Sequence, residues 1–207
     1  MYSWKKRESL VQIIFKEGMN SFKRKIKYEP RTGEEMEHAV GHKIPIYKYS
    51  DLCRIAKNTS PTGMLSHMFR RSDDNIILLQ DPQKMNSGHW ISVSRNLPKK
   101  EIYFFSTYGG KPDAEKVEWM SDDDLIESGQ DLNVFNEGLH DLQKHGWTIH
   151  YNDYQYQKPG DETATCGIFT AAFLRSGKNP EEFERETKSI IASGEDPAIV
   201  YYKRFFC

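Results

Sequence analysis

The stretch KPGDETATCGIFTAAFLRS, residues 158–176, changes from polar to largely apolar at Cys166. Phe169 and Phe173 are four residues apart, so they share one side of a helix. The small and apolar residues around them predict a helix that lies inside the fold. Cys166 would occupy the first turn of that helix, directly before a glycine.

Cys166 is a candidate nucleophile in this position. The first turn of a helix presents unpaired backbone N–H groups and a partial positive charge, and both stabilise a thiolate. A cysteine pKa of about 8.5 falls to roughly 3.5–7.5 in such surroundings. The polar loop before Cys166 would leave the sulfur accessible. Cysteine is also among the most buried residue types, so a plain core residue is the alternative.

The rest of the chain alternates between strand and helix patterns. The predicted elements are a helix within 1–28, a helix capped by Ser50 that runs to Ala56, a turn at 60–63, strands at 75–80 and 147–152, a hairpin within 87–113 around RNLPKK, a helix capped by Ser121, and a helix with apolar residues from Leu132 to Leu142 that ends at Gly146. Residues 28–43 are polar and contain proline and glycine, which predicts a linker. We therefore expect an N-terminal extension with its linker at 1–43, followed by a domain at 44–207.

The composition limits the classes of protein that remain. No apolar run is long enough to span a bilayer, and the first residues lack the apolar segment of a signal peptide, so no membrane is expected as a partner. The three cysteines are too few and too scattered for a disulfide framework, which favours a reducing compartment.

The net charge of -1 is unevenly distributed along the 207 residues. Residues 1–28 contain eight Lys and Arg against two Glu, a local charge of +6 that leaves -7 for the rest. The pattern predicts a basic arm that meets DNA or an acidic partner, or else a docked helix with a solvated basic face.

A nucleophilic cysteine needs a base, and His89 is the strongest candidate among seven histidines. It opens a predicted strand directly behind NSG, and a strand end beside glycine can hold a side chain that is both rigid and exposed. Trp90 follows it in the sequence.

The motifs GHW, YFFSTYGG and Q…TCGIFTAAFL resemble those of the adenovirus-protease and ubiquitin-like-protease (Ulp1-like) group of cysteine peptidases. The resemblance covers roughly residues 75–180. It implies an α+β fold: a papain-like core in circularly permuted order, with a central mixed sheet and the nucleophile at a helix N-terminus. It makes His89 the general base, Cys166 the nucleophile and Gln157 a side-chain donor to the oxyanion. Gln155, expected on the same strand face, is the second choice.

The third catalytic position departs from the group, because Ser106 stands where an acid or Asn is usual. An antiparallel register that pairs residue 89 with 106, 91 with 104 and 93 with 102 would bring Ser106 to the imidazole. Asp113, just past the following turn, is the alternative.

The resemblance implies a cysteine endopeptidase without a cofactor or metal. Chain length and layout are most similar to the maturation proteases of virophages and large DNA viruses, which implies capsid or other structural proteins as substrates, in the host-cell cytoplasm and the virion. The alternatives are a protease of ubiquitin-like modifiers or an acyltransferase on the same fold, and a catalytically weak binding module.

Overall fold

A five-stranded mixed sheet forms the centre of the structure. The computed structural model describes residues 18–84, 87–118, 120–158 and 163–207. Its five strands, in spatial order, are β1 (Ile46–Lys48), β2 (Asp74–Gln80), β3 (Gly88–Asn96), β4 (Glu101–Ser106) and β5 (Thr148–Tyr151). β1 is parallel to β2 and β4 is parallel to β5, whereas β3 is antiparallel to both of its neighbours. The C-terminal ends of four strands therefore meet the start of β3 at one end of the sheet, which we call the His89 end.

Helices cover both faces of this sheet. They are residues 18–28 (α1), Gly33–Val40 (α2), Tyr49–Asn58 (α3), Pro61–Phe69 (α4), Asp122–Glu127 (α5), Val134–Lys144 (α6), Cys166–Ser176 (α7), Pro180–Ala192 (α8) and Pro197–Phe205 (α9), with a 3₁₀ helix at Ala114–Glu118. In the part of the chain that the structure describes, no helix has the length and apolarity needed to cross a bilayer.

Strand alternation divides the apolar residues between two cores. Ile76 and Leu78 of β2 face the core formed with α2, α7, α8 and α9, while Ile77 and Leu79 face the core formed with α3, α4 and α6. The predicted α+β class with a central mixed sheet is confirmed.

α7 is the central helix, as its composition predicts. Every residue from Cys166 to Leu174 is buried, because the sheet lies on one side of the helix and α2, α8 and α9 pack around the others. The ring of Phe173 stacks on Phe105 of β4 with centroids 4.5 Å apart.

Three local predictions need correction. The predicted linker contains α2, whose capping box joins Thr32 and Glu35 and whose Met36, Ala39 and Val40 are buried. The predicted turn at 60–63 is the start of α4, since Ser60 caps it and Pro61 occupies its first position. α3 begins at Tyr49, so Ser50 lies inside it. The glycine and proline residues of the first two stretches lie near helix ends, whereas the prediction took them as a linker and a turn.

The basic arm is described only in part. Val11 and Phe15 of its predicted helix lie outside the described residues, whereas 18–28 are helical. The last turn of α1 is docked: Ile26 is fully buried, and the Lys27 carbonyl accepts a hydrogen bond from the Ala164 N–H at 2.6 Å. The division of the chain after residue 43 stays a prediction.

Gly167 should be indispensable to this packing. A Cβ there would lie 2.9 Å from Cβ and Cγ of Arg31 and 3.1 Å from Sδ of Met36. We expect Gly167→Ala to lower the free energy of unfolding by about 1–3 kcal/mol in urea titrations, the usual cost of overpacking. Gly18→Ala is the control, because no described atom lies within 4 Å of the added Cβ. Equal stability of the two variants would contradict the close approach of α7 to α2.

Candidate active site

The start of α7 is fixed against Trp90 of β3. The Trp90 carbonyl accepts a hydrogen bond from Thr170 Oγ1 at 3.1 Å, one helical turn after Cys166, and the backbone N–H of Trp90 acts to lower the pKa of the Cys166 thiol. The indole Nε1 of Trp90 donates to the Arg31 carbonyl at 3.1 Å. The first turns of α7, which begins at Cys166, therefore lie beside Trp90, the residue that follows His89.

His89 is the second residue of β3. Gly88 precedes it with φ +153°, and a Cβ at Gly88 would overlap the Leu79 carbonyl oxygen, so this start of β3 requires glycine. The imidazole is 1% exposed, and its Nε2 lies 3.0 Å from Ser106 Oγ. The predicted contact between His89 and Ser106 is present.

The register that led to this contact was wrong by two residues. The structure pairs Ile91 with Ser106 and Asn96 with Glu101, so the loop contains residues 97–100. The predicted register would leave a two-residue loop with positive φ at Leu97, which favours glycine; instead Lys100 takes the positive φ, at 53°. A shift of two residues keeps every side chain on its face, so Ser106 still reaches the imidazole from a diagonal position.

Tyr108 is a further site residue, which the predicted register did not place beside His89. Its ring stacks on His89 with centroids 3.8 Å apart and an interplanar angle of 10°. Its N–H donates to Ser106 Oγ at 3.3 Å. No hydrogen bond joins His89 Nδ1 to any described residue. If Nε2–H donates to Ser106, Nδ1 keeps a lone pair that can accept a proton.

Gln157 contacts Thr165, the residue directly before Cys166. Its side chain is buried, its Oε1 accepts from Thr165 Oγ1 at 3.2 Å, and its Nε2 donates to the Thr163 carbonyl. Gln155 is exposed. Neither residue is on a strand, because β5 ends at Tyr151, so the expected shared strand face is absent. Their roles stay predictions, and the burial next to Thr165 favours Gln157.

Asp113 makes its contacts elsewhere. One carboxylate oxygen accepts from the Tyr49 hydroxyl and the other from the Asn136 N–H at 2.8 Å, beneath α3 and α6. Burial raises the pKa of this carboxyl, against the lowering effect of Lys116. Of the two residues considered for the third position, Ser106 is the one in contact with His89.

Burial decides the charge state of the site. It raises the pKa of the Cys166 thiol, although the N–H groups of Trp90, Gly167 and Cys166 itself act in the opposite direction. Burial also lowers the pKa of His89 to about 3. The expectation of a lowered thiol pKa at the helix start is therefore reversed, and both groups are neutral near pH 7. Among the described residues, no cluster of His, Cys, Asp and Glu could hold a metal ion.

The comparisons with known proteins concern the fold. No family model and no curated protein matches this chain. It is similar to the SUMO protease Ulp1 with its catalytic cysteine oxidised to a sulfinic acid, at 15% identity over 84% of this chain and 71% of that one, with a TM-score of 0.38. A Ulp1 protease domain in complex with Smt3, the yeast ortholog of SUMO, gives the same identity and coverage and a TM-score of 0.36.

A third similar structure is AvrA with IP6 and CoA, at 10% identity over 82% of this chain and 59% of that one, with a TM-score of 0.32. At such identities and TM-scores these three structures do not assign an activity to this chain.

The buried neutral His89 predicts a pH dependence of stability. The unfolded chain binds a proton at this residue below about pH 6.5, whereas the folded protein does so only near 3. The contribution is thus complete above ~6.5 and is lost as the pH falls towards 3, by about 1.4 kcal/mol per pH unit. We expect urea unfolding between about pH 7 and 5 to show this loss in the native protein and a smaller one in His89→Gln. Parallel curves would contradict the buried neutral imidazole.

Proposed function

We propose that this protein is a cysteine endopeptidase in which Cys166 is the nucleophile and His89 is the general base. The observation that carries the proposal is that the first turn of α7, which begins at Cys166, is hydrogen-bonded to Trp90, the residue after His89, and that Nδ1 of His89 has no hydrogen-bond partner among the described residues. A thiol at a helix start, a neutral imidazole and a hydroxyl that orients the ring are the parts that nucleophilic catalysis by cysteine needs.

The proposed reaction begins with two neutral groups. His89 takes the thiol proton at Nδ1 while the sulfur attacks the peptide carbonyl, and Ser106 accepts the hydrogen bond from Nε2–H. The imidazolium then gives its proton to the leaving amine, and water hydrolyses the acyl-enzyme with His89 again as base. Burial disfavours a separate thiolate or imidazolium, so both charges should arise together as substrate binds.

The oxyanion would form at the start of α7. Its proposed donors are the backbone N–H of Cys166 and Nε2 of Gln157. In the free protein the Gln157 amide donates to the Thr163 carbonyl. The substrate oxygen would replace that carbonyl as acceptor, which keeps the amide hydrogen-bonded before and during the reaction.

The finer parts of the proposal come from the sequence resemblance. They are capsid or other structural proteins of a virus as substrates, and action in the host-cell cytoplasm and the virion. A further part, a basic arm that binds DNA or an acidic partner, comes from the +6 charge of residues 1–28. On α1, the side chains of Lys23, Arg24 and Lys25 are exposed and available for such contact. The alternatives are a protease of ubiquitin-like modifiers, an acyltransferase, and a binding module.

A peptide electrophile tests the nucleophile without knowledge of the substrate. We expect a peptidyl vinyl sulfone to add once to the native protein at Cys166, as read by intact mass and peptide mapping. Cys53 is the matched buried thiol, with a pKa raised to about 11, and should not react. His89→Gln should slow the addition strongly, because the thiol then lacks its base. Addition at Cys53 or Cys207 in place of Cys166 would sink the proposal.

A second assay separates the alternatives. The protein is incubated with a peptide library derived from a proteome, with conjugates of a ubiquitin-like modifier, and with acetyl-CoA plus lysine peptides. Internal cleavage of library peptides, absent from Cys166→Ala, supports an endopeptidase. Release of the modifier alone, or acetylation alone, would replace it with the corresponding alternative, and no turnover in any arm would leave the binding module.

Gln157→Ala should lower kcat about 10²–10³-fold in the peptide assay, the usual loss when one oxyanion donor is removed. Gln155→Ala is the control, because its side chain is exposed and should matter little. A larger effect of Gln155→Ala would show that the two glutamines exchange roles in the substrate complex.

A further inference from the structure

Asn152 continues the sheet where β5 has ended. The parallel pairing of β4 with β5 stops at Phe104 and Tyr151. Beyond it, the side chain of Asn152 accepts a hydrogen bond from the Ser106 N–H at 3.1 Å and donates to the Ser106 carbonyl at 2.7 Å. The same amide nitrogen donates to the Tyr154 carbonyl at 2.9 Å, and the residue is 2% exposed. One side-chain amide therefore holds both backbone groups of Ser106.

The residues that follow Ser106 join the two halves of the site. Ser106 and Tyr108 contact the His89 ring, by a hydrogen bond and by stacking. The Thr107 carbonyl between them accepts from the N–H groups of Tyr156 at 2.8 Å and Gln157 at 3.0 Å. Any movement of the backbone at Ser106 would thus shift the partner of the base and the support of Gln157 together.

We propose that Asn152 is a positioning residue that allows a serine to serve at a position where the peptidases that this sequence resembles have an acid or Asn. A carboxylate attracts an imidazolium from a range of positions through its charge, whereas a neutral hydroxyl acts only at hydrogen-bond distance and direction. Ser106 Oγ can orient His89 only if its backbone is fixed, and Asn152 fixes it on both sides. The inference rests on the proposed function, since it assigns His89 as the base.

Gln130 offers a matched control at the same end of the sheet. Its side chain accepts from the Gln80 N–H and donates to the Gln80 carbonyl, both at 2.9 Å, and it is fully buried. It therefore extends β2 as Asn152 extends β4. Its described contacts include neither His89 nor Ser106. Loss of Gln130 should cost stability in the same way without reaching the imidazole.

The test measures which ring nitrogen of His89 carries the proton. Loss of a residue with a purely structural role would not change that tautomer. The full chain with ¹⁵N-labelled histidine is measured near neutral pH by long-range ¹H–¹⁵N correlation, and His89→Gln identifies the His89 signals. We expect the proton on Nε2 in the native protein and in Gln130→Ala. Asn152→Ala should show a mixture with the Nδ1–H tautomer, and kcat for a cleaved peptide should fall about tenfold with little change in KM.

Asn152→Asp keeps the acceptor for the Ser106 N–H and the size of the side chain, so it serves if Asn152→Ala does not fold. It loses the two amide donors and should also show the mixed tautomer. An unchanged Nε2–H tautomer in the folded Asn152 variant, with a stability loss like that of Gln130→Ala, would overturn the inference. The tautomer needs no turnover, so absence of cleavage by the native protein would count against the proposed function alone.

Discussion

The position of the whole site depends on two backbone groups of Trp90. Its carbonyl accepts a hydrogen bond from Thr170 and its N–H acts to lower the pKa of the Cys166 thiol, so one strand residue holds the first turns of α7 beside β3. Gly167 allows the helix to approach Arg31 closely, and the Arg31 carbonyl in turn holds the Trp90 indole. The nucleophile is therefore placed by the packing of the central helix and not by its own loop.

Hydrogen bonds between neutral groups orient the His89 imidazole, a task that charged groups perform in many active sites. The imidazole is held by a hydroxyl and a tyrosine ring, and the hydroxyl is held by an amide. Because burial opposes charge on both Cys166 and His89, the free protein stores no ion pair. Such a site depends on geometry more than on electrostatic attraction, since a neutral hydrogen bond weakens steeply with distance and angle.

Sequence patterns were sufficient where a local signal dominates. The apolar run after Cys166 predicted a buried helix, and Ser121 with its acidic first turn predicted the cap that the structure shows. They were insufficient where two local signals conflict. Glycine and proline in 28–43 and 60–63 suggested a linker and a turn, but they lie at the ends of α2 and α4. The hairpin register failed because the loop conformation at Lys100, and not the strand residues, sets it.

The sequence by itself determined which residue types are present for the chemistry and their order along the chain. It also determined that His89 and Ser106 lie on the same face of the hairpin, because side chains in a strand alternate with period two. Only the tertiary structure decided the stacking of Tyr108 on His89, the hold of Asn152 on Ser106 and the direction of both pKa shifts. These features join residues far apart in the chain, and burial is a property of the packed whole. A local pattern of residues determines neither these long-range contacts nor the burial of the site.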